Sequence, residues 1–86
     1  MGDVWTISVL IELKPSIRDP EGETILRDLI RRGGEKSVEE VRAAKLLRFK
    51  VRANNREEAE NLVRTLCDEL RLYNPIAHVC NVWSDR

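Results

Sequence analysis

The sequence predicts an α+β fold in one domain, residues 1–86: a two-layer sandwich in the order β-α-β-β-α-β, an antiparallel sheet with two helices on one face. Three observations predict it. Residues 4–13 alternate with period two, as a half-buried strand does. Two later stretches place apolar residues at helical spacing behind an Asp-Pro or an Asn-Asn start. The remaining apolar runs are short and strand-like, so the elements interleave as they do when two helices cover one sheet.

In the first strand, Trp5, Ile7, Val9, Ile11 and Leu13 share one face, opposite Thr6, Ser8 and Glu12 with Val4 and Leu10. Lys14-Pro15 ends it. Asp19-Pro20 opens the first helix, because Asp can accept a free backbone N–H and Pro at the first helical position loses no hydrogen bond. Glu21 and Glu23 suit the positive end of the helix dipole. Ile25, Leu26, Leu29 and Ile30 form its apolar stripe, and Gly33-Gly34 stops it.

Residues 38–52 are β-rich without a turn signal. Leu47, Phe49 and Val51 share a face, with Arg48, Lys50 and Arg52 opposite. A break at Ala44-Lys45 gives two strands in a tight hairpin; one long bent strand is the alternative, since no Gly or Asn marks a turn. Asn55, with Glu58 three residues on, caps the second helix. Its apolar stripe is Ala59, Leu62, Val63, Leu66, Cys67 and Leu70, and Asn74-Pro75 closes the helical region. Ile76 to Trp83 is the last strand.

Composition narrows the function. A domain of 86 residues buries only roughly 60–65% of its unfolded surface, so oligomerisation is an expected source of stability. Charged residues are 35% of the chain, yet the net charge is zero, which argues against a nucleic-acid or membrane binder. The run Val4 to Ile11 is too short to span a bilayer, and Asp3 stands where a signal peptide carries positive charge. The expected location is the cytoplasm, where two cysteines stay as thiols.

No set of residues reads as a catalytic site. His78 is the single histidine, Cys67 lies on an apolar stripe, and the pattern leaves the face of Cys80 open; each reads as structural rather than catalytic. Cys67, His78 and Cys80 are too few for zinc. The glycines Gly2, Gly22, Gly33 and Gly34 form no phosphate loop, and both helix starts carry acids that repel phosphate. No cofactor or metal is expected on this chain. The basic residues Arg48, Lys50 and Arg52, with Arg42 and Lys45 just before them, lack the interleaved aromatics that stack nucleic-acid bases. They are candidates for a solvated strand face or a partner surface. Trp5 and Trp83, near the two chain ends, are core residues or interface anchors.

Several segments, taken in order, resemble a family. Asp19-Pro20-Glu21-Gly22 resembles the D-P-x-G segment that opens the first helix of the PurS-type small subunits of phosphoribosylformylglycinamidine synthase. Residues 38–45, VEEVRAAK, resemble their V-x-x-V-R-x-G-K segment, with Ala44 in place of the glycine. Glu58-Ala59-Glu60, the segment Leu66 to Leu70 and Asn74-Pro75-Ile76 match further signatures, so the resemblance spans nearly the whole chain.

The resemblance implies a non-catalytic subunit of an enzyme that uses ATP and glutamine to amidate formylglycinamide ribonucleotide in purine synthesis. ATP and magnesium would belong to a synthetase large subunit, and ammonia would come from a glutaminase subunit. This chain would bridge the two and support ammonia transfer, as a homodimer or tetramer. The matched Arg42 and Lys45, with the Arg48, Lys50, Arg52 stripe and Trp5 and Trp83, are the expected contact residues. An ACT-like regulatory module is the alternative, since it shares the architecture. Such modules usually carry a Gly-rich loop after the first strand, where this chain has Pro15-Ser16-Ile17-Arg18.

Overall fold

A computed structural model describes residues 2–85. Strand β1 (Asp3–Leu13) is the centre of a three-stranded antiparallel sheet, flanked by β2 (Ala44–Ala53) and β3 (His78–Ser84) in the order β2-β1-β3. The register pairs Ile7 with Phe49, Val9 with Leu47 and Val82, and Ile11 with Cys80. The odd residues of β1 and β2 and the even residues of β3 therefore share one face.

Helix α2 (Arg56–Glu69) covers that face. Its start follows from Asn55, whose side chain accepts the Glu58 N–H at 2.8 Å. Ala59, Val63 and Cys67, four residues apart, point inward and are buried against Ile7, Val9, Ile11, Val51 and Ala53. A fully buried Val or Ile side chain contributes about 1.5–3 kcal/mol, so this seam holds the domain together. Trp5, Leu47, Phe49, Leu72, Tyr73, Cys80 and Val82 pack around it.

Two expectations need correction, while the α+β class and the antiparallel sheet stand. The sheet has three strands rather than four, because residues 38–43 join no ladder. A two-residue hairpin needs positive φ at its turn, which Ala44 and Lys45 disfavour. The segment is instead pinned by side chains. The Ala43 N–H donates to Asp19 Oδ2 at 2.5 Å, and Arg42 Nη2 donates to the Lys14 and Ile17 carbonyls at 3.2 and 2.8 Å.

The second correction concerns the helix layer: α2 alone packs on the sheet. Helix α1 (Pro20–Thr24) continues as a π-helical segment (Ile25–Arg31), and neither touches a strand or α2. The i→i+5 bonding of a π segment brings residues four and five apart onto one side, which gathers Ile25, Leu26, Leu29 and Ile30. Leu29 is 68% exposed. The chain measures 54 × 26 × 14 Å with a radius of gyration of 16.7 Å, against about 12 Å for a compact domain of this length.

Candidate partner interface

The sheet has a covered face and an open one. The open face carries Val4, Thr6, Ser8, Leu10 and Glu12 from β1, with Leu46, Arg48, Lys50 and Arg52 from β2. Val79, Asn81 and Trp83 of β3 complete it. Alternation puts the three basic side chains about 6.7 Å apart along the edge strand, and all three are exposed. Val4, Leu46 and Trp83 add exposed apolar surface beside them. A row of cations next to apolar and aromatic surface suits a protein partner that brings carboxylates and a large apolar side chain.

One polar cluster organises this face. Ser8 is 1% exposed although it belongs to the open side. Its hydroxyl donates to Asp85 Oδ2, which lies 3.8 Å from Arg48 Nε. Trp83 Nε1 donates to Asp85 Oδ1 at 2.9 Å, and the Asp85 N–H donates to the Thr6 carbonyl at 2.8 Å. The end of the described chain is thereby folded over Ser8 and orients both Trp83 and Arg48. The Arg48 to Asp85 pair is solvent-exposed, so its role is geometric rather than energetic.

The structure separates the other expected contact residues from this stripe. Arg42 is committed to the Lys14 and Ile17 carbonyls. Lys45 belongs to the odd face of β2 and lines an open cleft of about 470 Å³ with Asp19, Ala43, Leu72 and His78. Trp5 is taken into the core, its indole N–H donating to the Ala53 carbonyl at 3.2 Å.

A second surface is the stripe of the first helix, where Leu29 is exposed and Ile25, Leu26 and Ile30 are half-buried. Asp19 and Gly22 set its orientation. The Asp19 carboxyl is held below the usual carboxylate range, chiefly by the Ala43 N–H against the opposing effect of burial, with Arg42 assisting. Gly22 lies against the 38–43 segment so closely that a Cβ there would stand 2.0 Å from the Val41 carbonyl oxygen. Sequence reasoning missed that contact, although a glycine in the first turn of a helix, where it costs stability, was a readable signal. Ser8 gave no signal, since its burial depends on Asp85, 77 residues away.

The single histidine, His78, is engaged in the turn before β3. His78 Nδ1 accepts the Asn74 N–H at 3.0 Å, and the Asn74 carbonyl accepts the Ala77 and His78 N–H groups at 3.0 and 2.7 Å. Among the described residues no group of three His, Cys, Asp or Glu side chains is placed to hold a metal ion. None of the described helices is long and apolar enough to cross a membrane.

Comparison with known proteins identifies the family. Residues 6–84 match the family model described as PurS, phosphoribosylformylglycinamidine (FGAM) synthase. The PurS subunit of Archaeoglobus fulgidus is 44% identical over 68 residues, which cover 79% of this chain and 82% of that one. Among solved structures, Methanocaldococcus jannaschii PurS superposes with a TM-score of 0.83 at 30% identity, covering 95% of this chain and 96% of that one. A chain of the PurLQS structure from Thermotoga maritima gives a TM-score of 0.84 at 32% identity over 95% and 98% of the two chains. The chain belongs to the PurS family of FGAM synthase subunits.

Proposed function

We propose that this protein is the non-catalytic small subunit of an FGAM synthase complex, bridging a synthetase large subunit and a glutaminase subunit and supporting ammonia transfer between them. The observation that carries the reading is the near-complete match to a chain of the Thermotoga PurLQS structure. The surfaces support it. A stripe of exposed Arg48, Lys50 and Arg52 beside Trp83, and a first helix that packs on no strand and exposes Leu29, are what a bridging subunit needs. ATP and magnesium fit the large subunit rather than this chain: Glu21 and Glu23, and Glu57 and Glu58, fill the first turns of its helices and would repel phosphate. The working compartment is the cytoplasm.

Reconstitution tests the bridge. Large subunit plus glutaminase should amidate formylglycinamide ribonucleotide poorly from glutamine without this protein, while ammonium salts still support the large subunit. Equal glutamine-dependent rates with and without it would overturn the reading.

Self-association is part of the same proposal. The stripe of exposed Leu29 and half-buried Ile25, Leu26 and Ile30 is the surface for a second copy, consistent with the extended shape of the single chain. Light scattering should give a dimer or tetramer mass, and a monomer at high concentration would refute it.

A further inference from the structure

We propose that Cys67 and Cys80 form a reversible redox clip, an intramolecular disulfide that locks α2 to the edge strand β3. The two thiols come from different elements and meet in one place. Cys67 is the last member of the inward i, i+4 series Ala59, Val63, Cys67 of α2 and is 1% exposed. Cys80 is paired opposite Ile11 on β3, and the alternation of the strand turns it toward α2. Both line a single pocket of about 140 Å³, with Arg64, Asp68, Tyr73 and Val82. After burial, which is the main influence on both, Cys80 raises the Cys67 thiol and Cys67 lowers that of Cys80. Cys67 is buried and Cys80 half-buried, and both are reduced in this structure.

The reaction needs a two-electron oxidant, and a small-molecule disulfide supplies it. Cys80, the more accessible thiol, loses its proton to solvent and attacks one sulfur of the small disulfide. That S–S bond breaks and releases one small thiol, which takes up a proton. The Cys67 thiolate then attacks the Cys80 sulfur of the mixed disulfide and expels the second small thiol. Two protein thiols are thereby oxidised by two electrons, and the small disulfide is reduced to two thiols. Burial pushes both protein thiols up from their ordinary values, so little thiolate is present at neutral pH and the exchange is slow. The pair is therefore a staple that closes under sustained oxidation rather than a fast sensor. The bridge would close the loop that contains Tyr73 and the Asn74 turn, and a loop of this length is expected to shift the folding equilibrium about a hundredfold.

The test uses the full chain and oxidised glutathione at mildly alkaline pH, followed by alkylation and peptide mapping. The expected result is a Cys67–Cys80 cross-link within one chain, reversed by dithiothreitol, with Tm raised by about 5 °C or more. Cys80→Ser should abolish both the cross-link and the Tm response. Cys67→Ala serves as a second variant if that protein folds poorly. Four results would overturn the clip: both thiols still alkylated, a glutathione adduct at Cys80 alone, disulfides only between chains, or a bridged chain whose Tm does not rise.

Discussion

The two helical regions of this chain look alike in sequence and end differently in the fold. Both carry an apolar stripe behind an acidic first turn. Helix α2 lays Ala59, Val63 and Cys67 on the sheet and buries them completely or nearly so. The first helix leaves Leu29 68% exposed and meets no strand. An amphipathic stripe therefore records that a surface will be covered, not by whom. Here one stripe is satisfied within the chain, and the other is held out by a small latch made of Asp19, Gly22, Val41, Arg42 and Ala43.

The largest effects should fall on the packed side of that comparison. Ile7 is fully buried under α2, so Ile7→Ala should cost about 2–5 kcal/mol in urea unfolding. Leu29→Ala should change the stability of dilute protein by no more than about 0.5 kcal/mol. At high protein concentration the same substitution should remove the concentration-dependent part of the stability, since association stabilises the folded state by mass action. A loss of more than about 1 kcal/mol for Leu29→Ala in dilute solution would mean that the first helix packs on its own chain, and the comparison would break.

The latch comes next. Gly22→Ala places a Cβ 2.0 Å from the Val41 oxygen and 2.7 Å from its carbonyl carbon, both backbone atoms. Backbone must shift, at a cost of about 1–3 kcal/mol. Hydrogen exchange should localise the damage to the Asp19–Ala43 contact and leave the amides of β1 and α2 protected. Loss of protection throughout the sheet would show that the two regions are coupled.

Much of the packed half was legible in the sequence. The alternation of β1 identified Ile7, Val9 and Ile11 as inward residues, and the alternation of β2 put Arg48, Lys50 and Arg52 opposite Phe49 and Val51, as the register places them. The stripe of α2 was read too wide. Leu62 and Leu70, at 45% and 63% exposed, lie outside the strict four-residue spacing that faces the sheet. The face of Cys80 was open because β3 is short, and pairing with Ile11 decides it. What could not be read was tertiary. The donor of Ala43 goes to Asp19, 24 residues earlier, and no local pattern announces that a carboxylate expected to cap a helix will bind a distant strand entry. The expected hairpin failed for that reason. Arg42 and Lys45 are close in sequence to the basic stripe and part from it through the latch and the face alternation.

The latch also predicts a pH signature. Because the folded carboxyl of Asp19 lies below its ordinary value, its contribution to stability is fully present above the unfolded pKa of about 3.9. That contribution is lost as the pH falls through the lower folded value. Asp19→Asn keeps an acceptor for the Ala43 N–H and removes the titration. The variant should show a flatter acid limb than the parent in pH-dependent urea unfolding. Identical acid limbs would place the acid sensitivity elsewhere, for instance in Glu35, whose carboxyl is also lowered by its bonds to Ser37.

The last effect belongs to the end of α2 and tests whether the packed half is itself free of strain. The helix stops without a glycine: Arg71 adopts φ 54°, the left-handed region, while the Leu72 N–H reaches back to the Cys67 carbonyl at 3.1 Å. That is the bond of a Schellman ending, in which glycine normally takes the left-handed position. A non-glycine residue there is disfavoured by roughly 1–2 kcal/mol, and glycine gives back part of the gain through its freer unfolded chain. Arg71→Gly should therefore stabilise the protein by about 0.5–1 kcal/mol in urea unfolding. The gain should appear in dilute protein as well as concentrated, because this turn belongs to the half of the chain that completes its own packing. A loss instead of a gain would show that the Arg71 side chain stabilises the turn by more than its backbone strains it.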